Sequence, residues 1–303
     1  MLPGVGLSEC GSRSRILPVA RALVAGDSMR VSGSPVRPRP LVRSWLFAPG
    51  HSEKLLVRVF EAGADSVVLD LEDAVPAELK PDARANVAAI IRDHSAWVRI
   101  NRAGSAAAEA DLDAVAEHAE GLRIPKVESA DDVAWVAARA PGRDLACTIE
   151  SARGVLAAAD IATAPGCRYL VLGIADLTVD LSLGEGWEPL LLARSTLVLA
   201  SRAAGIEPPI DGAYTRPEID GLRAEAEHAR RLGFGSKSAV RPVQIPVINA
   251  VFQPTDVELE WARRVVAAFD QSGGAATRLP DGEVVDLPIA TRARNILSWR
   301  ADG

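Results

Sequence analysis

The strongest constraint on this chain is a repeated pattern: a short apolar run followed by a segment of helical period, eight times over. The runs are Ser44–Ala48, Ser66–Leu71, Trp97–Asn101, Leu122–Val127, Leu145–Glu150, Tyr169–Ile174, Ile206–Asp211 and Phe234–Val240. Between them apolar residues recur at 3.6-residue spacing, in Glu53–Ala62, Asp82–His94, Asp111–Glu120, Asp131–Ala138, Ala152–Thr163, Leu190–Ala204 and Glu218–Leu232. Near-continuous apolarity is what a parallel strand covered on both faces requires. Eight such units in the span 42–270 predict an α/β chain folded as a (β/α)8 TIM barrel. A doubly wound sheet is the alternative, but no Gly-x-Gly-x-x-Gly follows the first strand. Residues 271–303 lack the pattern and are expected to form a C-terminal lid or tail.

The first 41 residues stand apart. Residues 1–40 carry six Arg against Glu9 and Asp27 and end in a Pro-rich stretch, so a disordered N-terminal arm is expected over 1–41. An organelle transit peptide, or a start codon placed too early with Met29 as the true beginning, are alternatives. The net charge of −6 excludes a general nucleic-acid binder, and no run of 18 apolar residues exists to span a membrane. Cys10, Cys147 and Cys167 have no metal-type spacing and leave one unpaired, which points to a reducing compartment, the cytoplasm. Aromatic residues are scarce, six Trp, five Phe and two Tyr, so Ala, Val, Leu and Ile must fill most of the core.

Most runs finish in a polar residue: Asp70 and Glu72, Arg99 and Asn101, Lys126, Glu150, Asp176, Asp211, Lys237. In a barrel those ends converge on one mouth, where the chemistry sits. Glu150 and Asp176 are 26 residues apart, one unit, which places them at the ends of the fifth and sixth strands. Adjacent strands lie about 4.8 Å apart, and two carboxylates so close repel unless a cation stands between them. Mg²⁺ suits such a pair, because it takes one or two carboxylates and completes its shell with water and substrate oxygens. Arg99 can grip a substrate carboxylate with two parallel bonds, or else pair, buried, with Asp70 or Glu72. Only four of the 34 basic residues are Lys: Lys54, Lys80, Lys126 and Lys237. Lys126 or Lys237 offers a metal-free alternative, a Schiff base with a carbonyl substrate.

A set of ordered blocks goes further. Arg43-Ser44-Trp45-Leu46-Phe47-Ala48-Pro49-Gly50 comes first, then Asp70-Leu71-Glu72-Asp73-Ala74-Val75, Val98-Arg99-Ile100-Asn101, Ile124-Pro125-Lys126-Val127-Glu128 and Thr148-Ile149-Glu150. Ala193-Arg194-Ser195, Ile210-Asp211-Gly212, Gly233-Phe234-Gly235-Ser236-Lys237 and Val247-Ile248-Asn249 follow. From about Arg43 to Pro288 the chain resembles the HpcH/HpaI aldolase and citrate lyase β-subunit family. The resemblance implies a Mg²⁺-dependent carbon–carbon lyase or synthase on a barrel that assembles as a homotrimer or hexamer. Its substrates would be hydroxyacyl-coenzyme A thioesters such as citramalyl-, malyl- or citryl-coenzyme A. It implies Glu150 and Asp176 as metal ligands, Arg99 as a catalytic and substrate-binding residue, Glu150 as substrate-binding too, and Phe47, Lys54 and Arg58 as contacts of the thioester ligand. Asp286 matches a catalytic aspartate on a C-terminal lid that often reaches into a neighbouring subunit. The chain departs from the family pattern at Arg241, where a histidine is common, and at Ala175, where an acidic residue is common. An aldolase acting on free pyruvate or oxaloacetate, and a non-catalytic coenzyme A ester-binding subunit, are the alternatives.

Overall fold

The eight expected strands form, and each pairs in parallel with the next along the sequence. In this computed structural model of the chain the described residues are Met1, 42–184 and 186–298. The arm expected over 1–41, Met1 apart, therefore lies outside the described residues, as does the end of the tail. Around the barrel run β1 (Ser44–Pro49), β2 (Ser66–Asp70), β3 (Trp97–Arg99), β4 (Gly121–Ile124), β5 (Asp144–Ile149), β6 (Cys167–Leu172), β7 (Ile210–Asp211) and β8 (Ser236–Ala239). β8 returns to β1, with Ser44 opposite Lys237 and Leu46 opposite Ala239, so the sheet closes without an edge. Helices follow the strands in turn: α1 (Glu53–Arg58), α2 (Lys80–Ile90), α3 (Ala106–Val115), α4 (Ala130–Arg139), α5 (Ala152–Leu156) with α6 (Ala158–Thr163), α7 (Ile174–Asp180) with α8 (Leu191–Ala204), α9 (Ile219–Leu232) and α10 (Ile245–Phe252). The architecture is a (β/α)8 barrel.

Some helix boundaries are set by side chains that satisfy orphan N–H groups. The Ser105 hydroxyl accepts from the Ala108 N–H at 3.1 Å and starts α3 five residues before the expected Asp111. Ser129 and Asp132 cap α4 reciprocally. α9 stops at Gly233, whose φ of 108° needs a residue without a β-carbon. The sixth run was expected to reach Ile174, but β6 ends at Leu172 and Asp176 lies in the first turn of α7.

Strand residues alternate between two environments. Leu69, Leu122, Leu145, Cys147, Leu170 and Leu172 face outward into the layer shared with Leu112, Val133, Val136 and Leu197 of the helices. Trp45, Val68, Trp97, Ala146, Tyr169, Val171 and Ile210 face inward. Three of these form an aromatic triangle, with ring centroids 5.1 Å apart for Trp45–Trp97, 5.2 Å for Trp45–Tyr169 and 5.8 Å for Trp97–Tyr169, all edge to face. Such pairs contribute about 0.5–1.5 kcal/mol each beyond their buried area. Gly121 makes the triangle possible, since a β-carbon there would stand 2.6 Å from the Trp97 ring. The Trp45 indole donates to Ser236 Oγ at 3.1 Å, so its one polar atom is satisfied.

The chain beyond α10 is more regular than its sequence suggests. α11 (Asp256–Gln271), a hairpin of β9 (Thr277–Arg278) and β10 (Val284–Val285), and α12 (Leu287–Ser298) share an apolar core. That core holds Ala262, Val265, Phe269, Leu279, Val285, Ala290 and Ala293 and is distinct from the barrel core. Its apolar positions come in short groups either side of a turn, which is why no single period runs through 271–303. Among the described residues no helix is long and apolar enough to cross a membrane.

Candidate active site

The site is built on the inward positions at the carboxyl ends of β2 to β6. Trp97 faces inward, so Arg99, two residues on, does too, and meets Asp70 at the end of β2. Its Nε donates to Asp70 Oδ1 at 2.7 Å and its Nη2 to Asp70 Oδ2 at 2.5 Å, while Nη1 lies 3.1 Å from Glu72 Oε2. Burial opposes the Arg99 charge, but Asp70 and Glu72 outweigh it and hold the guanidinium above its ordinary range. Of the two sequence readings of Arg99, the structure shows the ion pair with Asp70 and Glu72, placed on the inward face at the carboxyl end of β3.

Glu150 follows directly on β5 and is 7% exposed. Its Oε1 accepts from the Lys126 backbone N–H at 2.7 Å. Lys126 holds that N–H in place with a φ of 54°, a left-handed conformation costly for a residue with a β-carbon. Its ammonium bonds the Glu72 carboxylate and lies 3.2 Å from both oxygens of Asp73. On its other side Glu150 packs against Gly173, where a β-carbon would overlap Oε2. Burial raises the Glu150 carboxyl to about 7, and the charges of Asp176 and Glu72 add to the effect. Asp176 is exposed on α7 and faces the same space.

That space is an open cleft of about 320 Å³ lined by Arg102, Lys126, Glu128, Glu150, Ser151, Asp176, Val179 and Asp180. Four of the eight are carboxylates. Among the described residues no three His, Cys, Asp or Glu side chains converge to enclose a cation. A divalent ion between Glu150 and Asp176 would therefore take most of its oxygens from water and ligand, the habit of Mg²⁺. The raised carboxyl and the glycine cradle fit that ion: among the described residues neither carboxylate has a cation in ion-pair contact, and Glu150 is fixed from both sides.

The other expected residues are spread more widely. The Phe47 ring lies 5.1 Å from the Arg99 guanidinium carbon and 4.7 Å from that of Arg123, inside the barrel mouth. Lys54 and Arg58, four apart on α1, are both exposed and stand on one side of that helix. Asp286 is half-buried and heads α12, its Oδ1 accepting from the Ile289 N–H at 3.1 Å, and it does not line the cleft. Lys237 points outward, since Ser236 and Ser238 point in; its ammonium donates to Asp211 Oδ2, the Gly212 carbonyl and Glu225 Oε1 at 2.6–2.7 Å. With all three protons spent away from the cleft, Lys237 is a wall residue. Lys126 does line the cleft, but Glu72 and Asp73 outweigh its burial and raise its ammonium above the ordinary range, so the neutral amine a Schiff base needs is disfavoured. Four residues were missed in the sequence: Arg102, Glu128, Asp180 and Arg123. Asp180 was signalled by its position four after Asp176 on one helix face, and Arg123 by being a charge set between the apolar Leu122 and Ile124.

Comparison with known proteins decides the family. The profile of the HpcH/HpaI aldolase/citrate lyase family matches residues 43–242. The chain belongs to that family. Among its relatives is a (3S)-malyl-CoA thioesterase of Cereibacter sphaeroides, 37% identical over 269 residues, which are 84% of this chain and 93% of the relative. The citrate lyase subunit beta of Escherichia coli is 34% identical, with 84% and 92% covered. The CitE protein of Mycobacterium tuberculosis, solved with magnesium, acetoacetate and coenzyme A, superimposes with a TM-score of 0.73 at 33% identity, over 84% of this chain and 96% of that one. The barrel and the family expected from the ordered blocks are both met.

Proposed function

We propose that this chain is a Mg²⁺-dependent carbon–carbon lyase acting on a hydroxyacyl-coenzyme A thioester such as citramalyl-, malyl- or citryl-coenzyme A. The observation that carries the reading is the Glu150–Asp176 pair, two carboxylates on one cleft with Glu150 raised to about 7. Relatives solved with magnesium, acetoacetate and coenzyme A, or with magnesium and oxaloacetate, support it. When bound, Mg²⁺ supplies a Lewis acid for the oxygen that becomes the carbonyl. Glu150 and Asp176 hold the ion, and Glu150 also borders the substrate. Arg99, kept rigid by Asp70, faces the substrate carboxylate. A base takes the hydroxyl proton, the carbon–carbon bond breaks, and its electron pair leaves as the thioester enolate. Asp286 returns a proton to that carbon. Since Asp286 heads α12 away from its own cleft, the reading includes a homotrimer or hexamer in which one protomer's lid serves the next. Phe47, Lys54 and Arg58 meet the coenzyme A moiety, the two cations suiting its phosphates.

A second reading, thioester hydrolysis, is favoured by the malyl-CoA thioesterase relatives. One assay separates the two. Purified protein is given malyl-, citramalyl- and citryl-coenzyme A, first with EDTA and then with added Mg²⁺, and 2-oxo acid and free thiol are followed together. Release of 2-oxo acid that stops with EDTA and returns with Mg²⁺ is the expected result. Thiol without 2-oxo acid would establish hydrolysis instead. Turnover indifferent to EDTA would overturn the Glu150–Asp176 site.

A further inference from the structure

Arg123 is a buried charge with no carboxylate in ion-pair contact among the described residues, and Glu150, Asp70 and Glu72 act on it only from a distance. It lies on β4, 5% exposed, inside the barrel one layer beneath Glu150, because its partner Thr148 is two residues before Glu150 on β5 and shares its face. Its Nε donates to Thr148 Oγ1 at 3.3 Å and its Nη1 to Ser238 Oγ at 3.1 Å. The Phe47 ring covers it at 4.7 Å. Among the described residues no carboxylate lies within ion-pair distance of it, whereas Arg99 beside it has two, Asp70 and Glu72. A guanidinium carries five N–H donors, and two of these are used here, both by neutral hydroxyls. A buried cation kept for stability alone brings a carboxylate with it, since an unpaired one costs more than an apolar side chain of its size.

We infer that Arg123 is an anion-holding residue in the floor of the site, whose free donors take a carboxylate oxygen of the bound 2-oxo acid. Arg99 then serves as the rim of the site, its charge already paired in contact, and Arg123 as the cation at its base with no carboxylate in contact. The inference rests on reading the mouth as a 2-oxo acid site.

The test uses the full chain with saturating Mg²⁺ and oxalate, a dianion with the shape of the pyruvate enolate. Oxalate binding is measured by calorimetry, and stability by urea unfolding, for the wild type and Arg123→Met. Met fills the cavity without charge, so the variant is expected to unfold at no lower urea concentration than the wild type while its oxalate affinity falls at least tenfold. Oxalate affinity within twofold of wild type in R123M would overturn the inference and leave the lyase reading standing. A wild type that takes no oxalate would overturn both. Should R123M not fold, Arg123→Gln, which keeps a donor for Thr148 but no charge, is judged by the same tenfold criterion.

Discussion

The carboxylate of Glu150 fills the space that a side chain on Gly173 would need. The glycine opening α7 and the glutamate closing β5 thus form one fitted pair across two adjacent strands. Gly173→Ala should push the carboxylate off its Lys126 N–H while costing about 1–3 kcal/mol of stability, the usual range for overpacking. Mg²⁺ affinity measured by calorimetry is expected to fall tenfold or more, with the barrel still folded by circular dichroism. Unchanged Mg²⁺ binding in G173A would mean that the position of Glu150 does not matter to the ion.

The raised carboxyl of Glu150 makes a prediction about pH. Its folded value of about 7 stands above its ordinary 4.5, so between those pH values the folded protein holds a proton that the unfolded chain has lost. Stability of the metal-free protein should therefore fall as pH rises from about 5 to 7 and level off above. A shift of this size corresponds to roughly 3 kcal/mol. Glu150→Gln should match the wild type near pH 5 and exceed it by about that much at pH 8, in urea unfolding without metal. Saturating Mg²⁺ should abolish the wild-type slope. An E150Q advantage of equal size at both pH values would contradict this account.

Lys126 combines a strained backbone with a charged side chain, and two substitutions separate them. Lys126→Ala and Lys126→Gly both remove the ammonium from Glu72 and Asp73, but only Gly adopts φ of 54° freely. The Gly variant should be more stable than the Ala variant by about 1–2 kcal/mol, read from urea midpoints. Elsewhere in a chain the same pair usually differs in the opposite sense, so the sign alone is diagnostic.

A Schiff-base route predicts a covalent trace. Borohydride reduction in the presence of pyruvate should leave no mass increase on peptides carrying Lys126 or Lys237. Lys237→Met should instead act through stability, destabilising by about 1–3 kcal/mol because Glu225 loses its partner and Asp211 keeps only Arg194. An adduct on either lysine would reopen the metal-free mechanism.

The barrel was legible because its signal is repeated: eight apolar runs with helical intervals leave few other arrangements. That Glu150 and Asp176 border one cleft was legible from spacing, even though Asp176 sits in the first turn of α7 and not at a strand end. Residues defined by a partner far along the chain were not. Nothing near Arg123 in sequence announces Thr148 or Ser238, and nothing near Gly121 announces the Trp97 ring. The left-handed Lys126 was hidden too, since a positive φ in a non-glycine residue leaves no mark in the residue itself. The hairpin and α12 escaped because two-residue strands carry no period to detect.

The aromatic triangle of Trp45, Trp97 and Tyr169 has a consequence for traffic. Its three rings, packed edge to face, fill the barrel beneath the polar layer. On the proposed lyase reading, both fragments of a split substrate would therefore leave by way of the mouth, and the fragment seated against the floor would leave last.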